Sequence, residues 1–229
     1  PQFLIPSRYS QITKNRYLAA ISSDAPADSQ LIQLKAQDKD SLSNGVVTFD
    51  LLPQSDPQGR FKIDPSTGIL RSSRPLEDID SSQLPIQLSV IARDNPQLQS
   101  SSLSEICKVI VNVIENKHRL AVVLKETSTG RVQETKEEFL ELIQNQTGLI
   151  AGWEKAESLK IQRKYAIESD VTGTDIWIYF IDPMTLKIIT SDDPRIVDIL
   201  KNDSEPTLLH SIFNKFGYHA SLIRPPYSS

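Results

Sequence analysis

Over residues 1–115 the apolar residues fall in short runs that alternate with polar ones: Leu31–Leu34, Val46–Leu51, Ile86–Val90 and the longer Ile106–Ile114. Turn clusters separate the runs: Asp24-Ala25-Pro26, Ser43-Asn44-Gly45, Asp64-Pro65-Ser66-Thr67-Gly68 and Asp94-Asn95-Pro96. A period of two puts every second side chain in a core, and Gly, Pro, Asn and Asp then reverse the chain. Roughly seven short strands in about 110 residues predict an antiparallel β sandwich with Greek-key connections, of immunoglobulin-like size.

After residue 117 the pattern changes. His118–Leu124 reads as a strand. Arg131–Gln146 then carries Val132, Phe139, Leu140 and Ile143 on one helical face, with Glu134, Glu137, Glu138 and Glu141 largely outside it. Gly148 is placed to end that helix. Strands follow at Leu149–Ala156, Thr174–Ile181 and Lys187–Thr190. Asp193-Pro194 opens a short helix through Leu200, Ser204 is read as the cap of another, and Gly217 is its stop. A last strand runs from Tyr218 to Ile223. The order β-α-β-β-α-β is the α+β, ferredoxin-like arrangement. The predicted domains are 1–116 and 117–229. No Gly/Ser-rich linker parts them, so the Glu115–Arg119 junction reads as stiff.

Composition removes some function classes. With 29 acidic against 25 basic residues the net charge is −4, which lacks the basic stripe of a nucleic-acid binder. Ile176–Ile181 holds no basic residue, unlike the aromatic-and-basic signature of RNA-binding sheets of this topology. No run approaches the roughly 20 apolar residues of a bilayer span. The single cysteine, Cys107, lies in an alternating run and reads as a buried strand residue. His118, His210 and His219 show no metal-ligand spacing. No phosphate-binding glycine loop or nucleophile–base pair stands out, so no catalytic residue is assigned and the chain does not read as an enzyme.

One constellation carries chemistry. Asp38-Lys39-Asp40, Asn44-Gly45 and Ala92-Arg93-Asp94 offer three carboxylates and, at Asn44, a turn carbonyl. These are hard oxygen donors of the kind that Ca2+ collects, about six to eight at a time. They are too few to complete a shell, so the remaining ligands must come from a segment upstream.

The first half resembles an extracellular cadherin repeat. Pro1-Gln2-Phe3 is similar to the family's opening strand, Ala36–Asp40 to its A-x-D-x-D motif, and Asn44–Phe49 to N-G-x-V-x-Y. Phe61–Leu70 follows F-x-I-D-P-x-T-G, and Ile91–Asp94 follows V-x-A-x-D. The resemblance implies that Asp38, Asp40, Asn44 and Asp94 form a partial calcium site, completed by the preceding cadherin repeat. Departures from the family pattern gather at the other end. Ser23 stands where V-x-E-N has Glu, Ile79 ends Leu76-Glu77-Asp78-Ile79 where L-D-R-E has Glu, and Glu115-Asn116-Lys117-His118-Arg119 replaces D-x-N-D-N. Three potentially basic side chains there are expected to repel a divalent cation. The repeat therefore reads as the last of its series.

The second half resembles the ferredoxin-like, membrane-adjacent domain that follows the last repeat of the tip-link cadherins. Gln146–Ile150, Gly173–Trp177 and Ile181-Asp182-Pro183 carry the likeness. It implies calcium-dependent adhesion, force transmission in hair-cell mechanotransduction and hearing, and the extracellular part of a single-pass plasma-membrane protein whose span follows Ser229. The implied partners are the upstream repeat, a parallel homodimer, membrane subunits of a transduction complex, and an adhesive cadherin at the distant tip. Nucleic acid is not among them.

Three further features need a decision. Trp177, Tyr179 and Ile181 form a second apolar row on a sheet expected to have helices on one face only. Either flanking structure folds over that row or it is an interaction surface. Gly173-Thr174 sits where membrane-proximal SEA domains cleave themselves between their second and third strands, which keeps an autoproteolytic alternative open. Against it, the hydroxyl belongs to Thr, Asp175-Ile176-Trp177 is not the usual valine run, and no Gly–Ser pair occurs in the chain. Asn145-Gln146-Thr147 and Asn202-Asp203-Ser204 are N-glycosylation sequons, relevant if the chain is secreted.

Overall fold

In a computed structural model the described residues are 1–37, 47–94, 103–163, 166–200 and 207–224, with backbone alone at 162, 163, 222 and 224. The chain divides into two compact units, Pro1–Val113 and Ile114–Ser229.

The first unit contains β1 (Gln2–Phe3), a single helical turn α1 (Ser7–Ser10), β2 (Tyr17–Ser22), β3 (Gln30–Gln33), β4 (Ala36–Gln37), β5 (Thr48–Leu51), β6 (Phe61–Ile63), β7 (Ile69–Ser72), β8 (Ile86–Arg93) and β9 (Ser104–Ile114). One sheet runs in the order β2-β9-β8-β5 and the other β3-β7-β6, while β1 pairs with β4. Alternation does what the sequence predicts: Cys107, Val109, Val111 and Val113 of β9 and Leu88, Val90 and Ala92 of β8 enter one core with Tyr17, Phe49, Phe61 and Leu70. Cys107 is buried, and burial pushes its thiol up to about 11.

The Asp64–Gly68 reversal shows how a motif becomes geometry. Asp64 Oδ1 accepts from the amides of Ser66 (3.0 Å) and Thr67 (2.8 Å), and the Gly68 amide returns to the Asp64 carbonyl. Gly68 takes φ 68°, and a Cβ there would fall 2.4 Å from the Leu34 carbonyl oxygen, so only glycine fits.

The second unit contains β10 (Leu120–Lys125), α2 (Thr129–Glu134), α3 (Lys136–Thr147), β11 (Ile150–Arg163), β12 (Ala166–Ile181), β13 (Ile188–Ile189), α4 (Pro194–Leu200), α5 (Leu208–Lys215) and β14 (His219–Arg224). The long strands lie in the order β11-β12-β10-β14, each pair antiparallel, with β13 added to β12. Leu120, Val122 and Leu124 of β10 join Ile176, Ile178 and Phe180 of β12 on the face that packs Val132, Phe139, Leu140, Ile143, Leu209, Ile212 and Phe213 from the helices.

Three expectations change here, and one open alternative is narrowed. The single helix over 131–146 is two, because Thr135 leaves helical geometry (φ −100°, ψ 5°) while its hydroxyl bonds to the Tyr218 hydroxyl at 2.6 Å. The cap of α5 is Thr207, which accepts from the His210 amide; Ser204 lies outside the described residues. β11 and β12 extend well past their apolar stretches as a long hairpin, through Arg163 and from Ala166. In the row Trp177, Tyr179, Ile181, for which the sequence leaves coverage and an interaction surface both open, Tyr179 and Ile181 are buried, Trp177 is half-buried, and the Lys155 ammonium sits 4.8 Å from the Trp177 ring centroid.

The cleavage alternative also fails on position. Gly173-Thr174 lies inside β12, with Thr174 in register with both Ser158 and Leu124, whereas the pairing of β11 with β12 runs on to Arg163 opposite Ala166. Thr174 is fully buried and its hydroxyl donates to the Thr127 carbonyl at 2.6 Å, so the oxygen is held in a paired strand and not against its own preceding carbonyl.

Candidate metal centre

The strands of the first unit bring the ends of the calcium motif together. β4 stops at Gln37, one residue before Asp38, and β8 stops at Arg93, one residue before Asp94. β5 begins at Thr48, in register with Arg93, and so starts four residues after Asn44. Phe3 pairs with Ala36, and its amide donates to Glu105 Oε2 at 2.7 Å, while Glu105 is in register with Ala92. Aromatic contacts from Phe3 to Tyr17 and Phe49, both at 6.2 Å between centroids, fix the same corner. Register holds Thr48 beside Arg93, and the Phe3–Glu105 hydrogen bond brings the β1–β4 pair, with Gln37, to the same end.

Asp94 is the one predicted ligand within the described residues. It is buried, its Oδ1 accepts from the Leu103 amide at 2.7 Å, and its own amide donates to the Leu103 carbonyl. The carboxylate is held before any cation arrives. Asp38, Asp40 and Asn44 lie outside the described residues. Among the described residues no group of three metal-ligating side chains assembles, and two of the three carboxylates are not among those residues. By donor type, the set of three carboxylates and a carbonyl fits Ca2+ and not a thiolate- or imidazole-seeking metal.

The opposite end is built differently. Asp78 is met by Arg60, Nη1 at 2.6 Å and Nη2 at 3.3 Å, and this guanidinium holds its carboxyl below the usual range. The Ser22 hydroxyl donates to the Asp24 carboxylate. In the junction, Glu115 caps a short 3-10 turn over Asn116–His118. His118 Nδ1 accepts from the Glu115 amide at 3.0 Å, and burial together with nearby Lys117 pulls its pKa down to about 4. Arg119 forms a two-point pair with Glu154, 2.7 Å at each bond, both side chains nearly buried. Lys117 reaches Glu115 at 3.1 Å and its carbonyl accepts from the Ser191 amide.

This corrects the repulsion argument made from sequence. His118 is neutral and the cations of Lys117 and Arg119 are matched by acids, so the junction residues are spent on their own unit. Sequence reasoning missed Arg60 and Glu154. Glu154 is the extra residue of a β-bulge, between Trp153 opposite Ile178 and Lys155 opposite Trp177, and nothing in its neighbours marks that bulge.

A family profile described as "Cadherin domain" matches residues 17–114. Over those residues the chain is similar to a cadherin domain. Cadherin domains bind calcium and serve adhesion, not catalysis. Likeness continues beyond that domain. The chain is 24% identical to Cadherin-99C of Drosophila melanogaster over 186 residues, 79% of this chain, and 26% identical to Protocadherin-15 of Gallus gallus over 202 residues, 82% of it. Cadherin-23 of Homo sapiens is 23% identical over 218 residues, 90% of the chain. The chain spans only 11%, 10% and 6% of those relatives' lengths. Matches of 186 residues or more exceed the 113 residues of the first unit, so they take in part of the second along with the cadherin domain.

Proposed function

We propose that this chain is the membrane-proximal end of a long calcium-dependent adhesion protein of the tip-link type, most like protocadherin-15. In this reading residues 1–116 are the last extracellular cadherin repeat and 117–229 a ferredoxin-like, membrane-adjacent domain. The observation that carries it is the convergence of Gln37, Thr48 and Arg93 at one end of the cadherin domain, where the motif places Asp38, Asp40, the Asn44 carbonyl and Asp94. The β-α-β-β-α-β order and the long matches to three cadherins support the second assignment.

Half a shell of oxygen donors at one end gives a mechanical role. Ca2+ bridging these carboxylates to those of a preceding repeat cancels their mutual repulsion and stiffens the joint. At the other end, the carboxylates and cations are paired inside the chain, so that joint takes no calcium. The function is then to bear and transmit tension, as in hair-cell mechanotransduction, on the extracellular side of a single-pass plasma-membrane protein. Adhesive contact with another cadherin falls at the distant tip. A parallel homodimer and membrane subunits of a transduction complex are the lateral partners of such a filament. No helix among the described residues is long and apolar enough to cross a membrane.

Calcium-dependent melting of the chain joined to its upstream repeat tests the half-site. Ca2+ is expected to raise Tm, and Asp38→Ala with Asp40→Ala is expected to remove most of the rise. An unchanged response in the double variant sinks the assignment.

A further inference from the structure

We infer that Asn145 carries an N-linked glycan, and that the outer face of α3 is a carbohydrate-covered surface of the second unit. The inference rests on the extracellular reading for its compartment, and on the structure for its place. α3 buries Phe139, Leu140, Ile143 and Gln144 against the sheet. Glu137, Glu141 and Asn145, spaced four residues apart, line its exposed side. A shift of one position would seal the amide inside, since Gln144 is 7% exposed.

The sequon also sits where a helix lets go. Gly148 closes α3 in the left-handed region at φ 71°, its amide returning to the Gln144 carbonyl at 2.9 Å. Asn145, Gln146 and Thr147 are therefore its last three residues, the turn that frays most readily. The transferase has to engage both the Asn145 amide and the Thr147 hydroxyl. Thr147 is half-exposed, and its oxygen accepts from the Leu149 amide at 3.1 Å, a bond that leaves the hydroxyl hydrogen available to donate. The surroundings suit a glycan. Glu137, Glu138 and Glu141 make the face hydrophilic, and no exposed large apolar side chain lies on α3. Asn202 lies outside the described residues, so the structure supports only the first sequon.

The test secretes the whole chain from a eukaryotic cell behind a cleavable signal sequence and maps peptides after peptide N-glycosidase treatment in heavy-oxygen water. Conversion of Asn145 to labelled Asp in most molecules is expected. Thr147→Ser should keep the glycan and Asn145→Gln should lose one glycan's mass on a gel. Secreted wild-type chain with unmodified Asn145 overturns the site, whatever becomes of the variants. Applying the same mapping to the chain isolated from its own tissue separates the two inferences. Modification in the forced secretion but not in the tissue places the fault in the extracellular reading and leaves the site standing.

Discussion

At the scale of single residues, His118 shows how burial turns a titratable group into a conformational constraint. Its Nδ1 must stay unprotonated to accept from the Glu115 amide, and its folded pKa of about 4 lies below the ordinary histidine value of 6.5. The unfolded chain therefore binds the proton that the folded chain refuses. Stability from this group is complete above about pH 6.5 and is lost as pH falls toward 4. At about 1.4 kcal/mol per pH unit, the second unit should lose about 2 kcal/mol between pH 6.5 and 5. Both tryptophans, Trp153 and Trp177, are in that unit, so indole fluorescence in a urea titration follows it alone. His118→Gln should flatten most of this pH dependence; equal slopes for variant and wild type would falsify the account. The Arg119–Glu154 pair gives a second residue-scale prediction. With both ions nearly dry, Arg119→Met should cost about 3–5 kcal/mol by stranding the Glu154 charge, while Arg119→Met with Glu154→Leu should cost much less. A double-mutant cycle measures this, and additive losses would count against a coupled buried pair.

At the scale of elements, the same turn appears twice. Asp182 Oδ1 accepts from the Met184 and Thr185 amides, and the Leu186 amide returns to the Asp182 carbonyl. Those are the bonds of the Asp64–Gly68 turn, with Leu186 at φ 57° in the place of Gly68 at φ 68°. The left-handed position itself thus tolerates a side chain at a cost of about 1–2 kcal/mol. At Gly68 the carbonyl of Leu34 adds a collision. Gly68→Ala should therefore cost the first unit at least twice what Gly148→Ala costs the second, since an added Cβ at Gly148 meets nothing within 4 Å. Denaturant midpoints, read by tryptophan fluorescence for the second unit and by amide hydrogen exchange in β8 and β9 for the first, decide it. The comparison also explains what was legible from sequence. Turn chemistry and periodicity are local, so Asp64–Gly68, the core face of α3 and the stops at Gly148 and Gly217 could be read directly. The break at Thr135, the bulge at Glu154 and the hairpin beyond Ser158 could not. Tyr218 and Arg119, which hold the first two, come from far along the chain, and residues 159–172 are largely polar and carry little apolar signal. For the candidate site, motif spacing proposes the ligands, while strand register and the Phe3–Glu105 hydrogen bond bring the described flanks Gln37, Thr48 and Arg93 to one end.

At the scale of the whole molecule, the tension-bearing role proposed above makes the direction of load decisive. The second unit is entered at Leu120 and left at Arg224. Those residues belong to neighbouring antiparallel strands, with Ala121 opposite Arg224 and Lys125 opposite His219. Entry and exit therefore fall at the same end of the β10–β14 pair. A pull between them loads the backbone hydrogen bonds one after another, starting at Ala121–Arg224. A pull applied at Lys125 and Arg224 loads opposite ends of the same pair and strains its bonds together. The first geometry should yield at clearly lower force. Arg119–Glu154 stands ahead of the ladder on the entry side and joins the chain to β11, so its loss should lower the first geometry's force more than the second's. Single-molecule pulling with cysteine handles at 117 or 126 and at 224 provides the measurement, on a chain whose native Cys107 is buried. Similar forces in both directions would mean that helix–sheet packing around Phe139, Phe213 and Ile178, and not the strand ladder, resists the load. Lower force in the first geometry would make the second unit the compliant element of the proposed filament, in series with the calcium-stiffened joint proposed upstream.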